Sequence, residues 1–168
     1  MGQAMSGTPR LGLPFLSAGQ AQKEFTHNEA LQTLDIVAAP AVEQTLDDPP
    51  ASPALGSCYI VGDSPTGAWA GKSQNVAGFT TGGWRFVPPL EGFSVYVKAV
   101  AQPACYRAGA WEIGVVRGSS LVIGGVQVVG SRTSAIAAPT GGTTVDGEGR
   151  AAIDQILSAL REHGLIAT

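Results

Sequence analysis

Short apolar runs broken by turn residues dominate the middle of this sequence. The chain has 168 residues, of which 23 are glycine and 11 are proline, far more turn formers than a helical protein uses. Runs of four to eight residues that are typical of strands lie in the segments CYIVG, WRFVP, FSVYVKAV, CYRAG and WEIGVV. We therefore predict an antiparallel β domain over residues 51–132, with its strands between residues 58 and 131.

The segment LVIGGVQVV, at the end of that region, has two interpretations. It predicts a hairpin that turns at Gly124 and Gly125, because paired glycines suit a tight two-residue turn. The alternative is a single strand with a glycine kink.

An amphipathic helix is predicted before the β domain, within an N-terminal region of residues 1–50 that we expect to serve assembly or anchoring. Ser17 and Gln20 have the spacing of a capping box, and Pro40 ends the pattern. Every third or fourth residue is then mainly apolar: Ala21, Phe25, Asn28, Leu31, Leu34 and Ala38. Asn28 is either a half-exposed edge position or a buried polar residue that sets the register between identical helices. A short strand is expected over Val42–Leu46.

A second amphipathic helix is predicted near the C-terminus, within a linker-and-helix region of residues 133–168. Asp146 is placed to cap it, and Gly164 and Leu165 have the spacing of a Schellman motif. Its apolar stripe is Ile153, Ile156, Leu157 and Leu160. A helix this short is marginal alone, so the stripe must dock on a neighbouring subunit or on its own domain. The predicted fold class is mainly β with flanking helices (α+β).

Charge and composition exclude several classes of function. The net charge is −3 and only 14% of residues are charged, so there is no basic surface for nucleic acid. No apolar run approaches the ~20 residues of a membrane-spanning helix, and no signal peptide is expected. The low charge instead indicates surface buried against other subunits. Cys58 and Cys105 are expected to be buried apolar residues, with a disulfide as the alternative.

The stretch GAWAGKS, residues 67–73, resembles a phosphate-binding loop but fails its requirements. Gly67 and Gly71 are separated by three residues rather than four, and the glycines that follow Lys72 leave no room for the helix such a loop needs. No catalytic residues, cofactor or metal site are predicted. Solvated strand-end charges are the preferred interpretation of the three acids in the β region, which a polysaccharide-degrading enzyme would use: Asp63, Glu91 and Glu112.

Aromatic residues concentrate in the β region and are better candidates for function. Trp84 and Phe86 share one strand face and are expected in the core. Trp69 lies in a glycine-rich loop, where an indole either caps the core or stacks on a sugar ring. The candidate residues for glycan binding are Trp69, Trp84 and Trp111.

Five segments in order resemble a family. These are GQAQKEFTHNEAL, YIVG, PTGAWAGK, GGWRFVPPLEG and DGEGRAAIDQILSALREHGLI, and together they resemble phage-derived proteins of alphaproteobacterial prophages and gene transfer agents, which are similar to tail-fibre or head-spike components. The resemblance implies a non-enzymatic structural protein of a phage-like particle, assembled in the bacterial cytoplasm.

The partners that this resemblance implies are further copies of the chain, as a trimer or fivefold ring, and other particle proteins such as capsid or fibre. The chain would be a base or adaptor that links the particle to a distal fibre or to the host surface. The alternative is a module that binds host capsular polysaccharide. The predicted oligomer interface comprises Phe25, Asn28, Leu31, Leu34, Ile153, Ile156, Leu157 and Leu160.

Overall fold

A computed structural model describes residues 7–16 and 23–167, which form two compact units. The units are Met1–Val115 and Val116–Thr168. The predicted boundaries differ from this division. The N-terminal region is not a separate body, because its helix and strands pack on the β domain, and the first unit ends at Val115 rather than near residue 132.

The predicted fold class is confirmed, since the described residues form ten strands in three sheets and two helices. In the first unit, helix α1 is Lys23–Ala38, and the strands are β1 (Ala41–Val42), β2 (Thr45–Leu46), β3 (Cys58–Val61), β4 (Val76–Thr80), β5 (Gly83–Val87), β6 (Ser94–Val97), β7 (Gln102–Arg107) and β8 (Ala110–Ile113). In the second unit, the elements are β9 (Leu121–Ile123), β10 (Val126–Val129) and helix α2 (Gly147–Glu162).

The first unit contains two four-stranded sheets, ordered β1-β6-β7-β8 and β2-β3-β4-β5. The predicted single strand over Val42–Leu46 is wrong in detail. The chain forms two short strands there, and each pairs in parallel with the edge of a different sheet, β1 with β6 and β2 with β3. The domain is therefore not wholly antiparallel. The segment joins the two sheets, which no pattern within its few residues could reveal.

Strand β3 is buried on both faces, which explains its unbroken apolar sequence CYIV. Cys58 and Ile60 belong to a first core, and Tyr59 and Val61 belong to a second core. The first core also contains Ile36 of α1 and strand residues from both sheets, namely Val42, Val76, Val95, Val97 and Ala104. The second core contains Trp69 and Ala77, with Leu46, Trp84 and Phe86 packed against them.

Helix α1 docks on the second sheet through a close contact at a glycine. A Cβ built on Gly78 of β4 would lie 2.5 Å from Ile36 Cδ1, so the helix can approach this closely only where the strand has no side chain. Beside this contact, Arg85 of β5 donates to Gln32 Oε1 at 3.1 Å and forms an ion pair with Glu29 at 3.0 Å. These polar contacts fix the position of the helix along the sheet.

The residues of α1 that are buried within the chain are not those of the apolar stripe, which we expect at the oligomer interface. Gln32, Asp35 and Ile36 are buried, whereas Phe25 is 74% exposed and Leu34 is also exposed. The helix ends at Ala38, as the proline at position 40 predicts, but Ser17, Gln20 and Ala21 lie outside the described residues. The buried face hydrogen-bonds its polar side chains Gln32 and Asp35 and places Ile36 over Gly78.

Asp35 holds the segment before α1 in place. Its buried carboxylate accepts hydrogen bonds from Thr8 Oγ1 (2.8 Å), Leu11 N (2.7 Å) and Arg10 N (3.0 Å), so the cost of burying a charged group is offset by several donors. Asn28 accepts from Leu16 N and donates to Leu16 O. The amide of Asn28 is therefore used within its own chain, not between identical helices.

The second unit confirms the predicted turn and caps. Gly124 and Gly125 have φ values of 58° and 81°, as a primed hairpin turn requires. The Asp146 side chain accepts from Gly149 N, and the Schellman motif is formed by Gly164 N to Arg161 O and Leu165 N to Leu160 O. The connector before α2 is hydrogen-bonded to the end of the unit. Thr133 pairs with Leu165 and Ala167, and the Ile136 carbonyl accepts from Arg161 of α2.

We predict that Gly78→Ala lowers the free energy of unfolding by about 1–3 kcal/mol, because the new methyl group overlaps Ile36. Gly82→Ala is the control, since its added Cβ meets no atom closer than Thr80 Oγ1 at 3.8 Å. Urea denaturation measures both. Equal stability of the two variants would contradict the proposed close contact.

Trp69 caps the second core, with none of its surface exposed. Its ring centroid lies 5.0 Å from that of Trp84 and 5.8 Å from that of Tyr59. We predict that Trp69→Ala costs about 3–5 kcal/mol, as large core truncations do. Trp69→Phe should cost clearly less, because it keeps an aromatic ring and removes a buried Nε1–H group that has no acceptor among the described residues. Thermal and urea unfolding compare the two variants, and equal losses would argue against a packing role.

Candidate functional site

The three tryptophans proposed for glycan binding do not form one surface. Trp69 is fully buried and Trp84 packs against it in the second core, so Trp69 has no face open to a sugar. Trp111 lies on the other sheet, where its ring centroid is 5.5 Å from that of Tyr106 and 6.1 Å from that of Phe93. Of the three, Trp111 is half-buried and lines a small cleft in the first unit.

That cleft has a volume of about 180 Å³ and lies in the first unit, where β8 approaches the ends of β2 and β3. Its walls are mainly apolar strand residues, and its polar side chains are those of Thr45, Asp63 and Gln74. An aromatic wall with a few convergent polar groups is the usual composition of a small-ligand site.

Gln74 is the most constrained residue of the cleft. Its backbone has a φ of 65°, a left-handed conformation that costs a non-glycine residue roughly 1–2 kcal/mol. Its Nε2 donates to Asp63 Oδ1, and its backbone carbonyl accepts from Trp111 Nε1 at 2.9 Å. Its buried Oε1 has no hydrogen-bond partner among the described residues. The cleft thus contains an unpaired acceptor beside a carboxylate.

The GAWAGKS stretch forms the loop that precedes Gln74 in the chain. Residues Gly67–Trp69 form a 3₁₀ turn, Lys72 N donates to Trp69 O, and the Lys72 ammonium lies 5.6 Å from the Phe86 ring centroid. Gln74 N then donates to Val61 O. Strand β4 follows, not a helix, as the sequence predicts. The motif that resembles a phosphate loop therefore closes the second core at Trp69, and the residue that follows it, Gln74, lines the cleft.

The three carboxylates considered for glycoside hydrolysis have different roles. Asp63 lines the cleft, Glu91 accepts from Ala108 N at 2.9 Å, and Glu112 lies 3.7 Å from Arg107. Asp63 is the one acid among the described residues that line the cleft. Hydrolysis of a glycoside by the usual route requires two carboxyl groups flanking the bond, and this cleft supplies one.

Both cysteines are free thiols, so the alternative of a disulfide is wrong. Burial raises the pKa of the Cys58 thiol above its usual value, although the Arg10 guanidinium beside it acts in the opposite direction. A buried thiol of raised pKa is a poor nucleophile. Among residues 7–16 and 23–167, no three His, Cys, Asp or Glu side chains are grouped so that they could hold a metal ion.

A larger groove of about 400 Å³ runs beside α1 and the β4–β5 turn. Phe25, Asn28 and Arg85 are among its lining residues. Of the predicted interface residues on α1, Phe25 and Leu34 are exposed and Leu31 is half-buried. Asn28 instead hydrogen-bonds to Leu16 within the chain. Among the predicted α1 residues, Phe25 and Leu34 are therefore the ones most available to contact a partner.

The predicted interface residues on α2 divide into two groups. Ile153 and Ile156 are exposed, with Ile156 at 59%, whereas Leu157 is buried at 4% and Leu160 is half-buried. Leu157 therefore packs within its own chain, which corrects the prediction that the whole stripe faces a neighbour. No described helix is both long enough and apolar enough to cross a membrane.

Comparison with known proteins identifies one family. The model of a family described as protein of unknown function (DUF2793) matches residues 27–112, which is just over half of the chain and runs from α1 into β8. The matched range includes both cores of the first unit and the residues that line the cleft except Ile113, and it excludes the β9–β10 hairpin and α2. A search of curated proteins finds no match. On this match, the chain belongs to the DUF2793 family of proteins of unknown function.

Proposed function

We propose that this chain is a non-enzymatic structural protein that works as a homo-oligomer. The observation that carries the proposal is the second unit, in which only Leu157 and Ile166 of residues 116–167 are buried. Its exposed apolar side chains are Val116, Leu121, Val122, Ile123, Val126, Val128, Val129, Ile136, Val145, Ile153, Ile156 and Leu165.

Two buried side chains are too few to stabilise a folded unit. A two-stranded hairpin is marginal in water, and a helix of α2's length gains most of its stability from packing. Together the exposed apolar side chains present on the order of 1,000 Å² to solvent, distributed over the hairpin, the segments beside it and α2. Surface of this size is expected to be covered by another chain.

The setting we propose is a phage-like particle, as a base or adaptor in a head spike or tail fibre. The support is the resemblance of five ordered segments to phage-derived proteins, together with a surface suited to assembly. In this setting the first unit is a compact module, and the second unit joins copies in a trimer or fivefold ring. The ring would link capsid or fibre proteins to a distal fibre or to the host surface.

We predict that Ile156→Asp dissociates the oligomer while the first unit stays folded, because Ile156 is exposed within its own chain and lies outside the first unit. Leu157→Ala, at the adjacent buried position, should instead lower stability by about 2–5 kcal/mol. Native mass spectrometry measures the assembly, and circular dichroism measures the fold. In a producing strain, the wild-type chain should sediment with purified particles and the Ile156→Asp chain should not.

Two results would contradict this proposal. If the wild-type chain is monomeric at micromolar concentration, the proposed homo-oligomer is wrong. If the chain is oligomeric but absent from purified particles, the proposed oligomer stands and the proposed role in a particle is wrong.

Glycan binding is the second candidate function, and the cleft beside Trp111 is the observation that favours it. Sugar recognition uses aromatic faces together with hydrogen bonds to hydroxyl groups, and the cleft offers Trp111 and the Asp63 carboxylate. A volume of about 180 Å³ suits one sugar residue of a host capsular polysaccharide. A structural role and glycan binding are compatible in one chain.

We predict that Asp63→Asn weakens binding of capsular oligosaccharides at least tenfold without changing the melting temperature, because the carboxylate is an exposed acceptor for sugar hydroxyl groups. Glu91→Gln is the control, since Glu91 lies outside the cleft and its replacement keeps an acceptor for Ala108 N. Isothermal titration calorimetry measures binding. Equal affinity of both variants, or no binding by the wild-type chain, would exclude this cleft as the glycan site.

A further inference from the structure

The β9–β10 hairpin has one wholly apolar face. Its cross-strand pairs are Ile123 with Val126, Val122 with Gln127, and Leu121 with Val129, with an irregularity in register between Gln127 and Val129. Directly opposed residues share a face, and successive pairs alternate between the two faces. One face, here called the hairpin apolar face, therefore comprises Leu121, Ile123, Val126 and Val129.

The hairpin apolar face is uncovered in the described chain. The exposed fractions of its side chains are 52% for Leu121, 62% for Ile123, 65% for Val126 and 42% for Val129. The sheet consists of these two strands alone. Four side chains half open to water cannot stabilise a hairpin that depends on them for its packing.

We propose that the hairpin apolar face is an intersubunit contact, and that it packs on the same face of further copies of this chain around the axis of the oligomer. The inference rests on the proposed oligomer and names the element that joins its copies. Residues 118–131 contain no charged side chain, so the face offers no counter-charge to an acidic or basic partner. An uncharged apolar face matches itself, and equivalent patches meet around the symmetry axis of a homo-oligomer.

The area available agrees with a self-contact. The hairpin apolar face exposes on the order of 400 Å², and the exposed Ile153, Ile156 and Leu165 of the same unit raise this toward the ~800 Å² that each partner buries in a standard interface. A contact of standard size therefore requires exposed side chains of this unit in addition to those of the hairpin. The hairpin alone would supply about half of one.

The hairpin offers a matched pair of variants for the test. Val126→Asp places a charge on the hairpin apolar face, and Val122→Asp places the same charge on the opposite face at a similarly exposed position. We expect Val126→Asp in the full chain to raise the dissociation constant of the oligomer at least a hundredfold and Val122→Asp to change it less than threefold. Sedimentation equilibrium measures both.

Cysteine cross-linking keeps the inference falsifiable if Val126→Asp unfolds the hairpin. In a Cys105→Ser background, Val126→Cys should cross-link copies through a short bis-maleimide, and Val122→Cys should not. Equal cross-linking by both variants, or an unchanged dissociation constant for Val126→Asp, would overturn the inference. If Ile156→Asp dissociates the oligomer and Val126→Asp does not, the hairpin apolar face is not the contact between copies. The proposed function would still stand in that case.

Discussion

Burial of strand β3 on both faces is the constraint on which the first unit depends. A strand that is apolar at every position needs a packed layer on each side of its sheet. On one side the layer comes from the other sheet and Ile36 of α1, and on the other side it comes from the loop that carries Trp69. The helix, both sheets and the GAWAGKS loop are therefore held by one strand of four residues.

The covering layers also determine where chemistry can occur. The loop that closes the second core returns to β4 through Gln74, whose side-chain amide donates to Asp63 and whose backbone carbonyl accepts from Trp111 Nε1. The second unit contrasts with this arrangement, because it has regular local structure and almost no core. We infer that the first unit supplies a stable module with a small cleft, and that the second unit supplies contacts between copies.

Local features could be predicted from the sequence, whereas features set by distant contacts could not. The glycine turn of the hairpin and the caps of α2 follow from residues that lie within a few positions of one another. The buried face of α1 depends on Gly78 and Arg85, far along the chain, so helical periodicity alone does not identify Gln32 and Ile36 as buried residues. Gln74 carries no sequence signal, because its role arises from a backbone conformation and from contacts with Asp63 and Trp111.

Amide hydrogen exchange across a dilution series distinguishes a self-sufficient second unit from one that is stabilised by other copies, because it reports on each unit separately in the unmodified chain. We expect the amides of β9, β10 and α2 to be protected at high concentration and to lose that protection together as the oligomer dissociates. The amides of β3 and β4 should keep the same protection at every concentration. If the protection of β9, β10 and α2 does not depend on concentration, the second unit is stable within a single chain. That result would contradict the proposal that contacts between copies stabilise it.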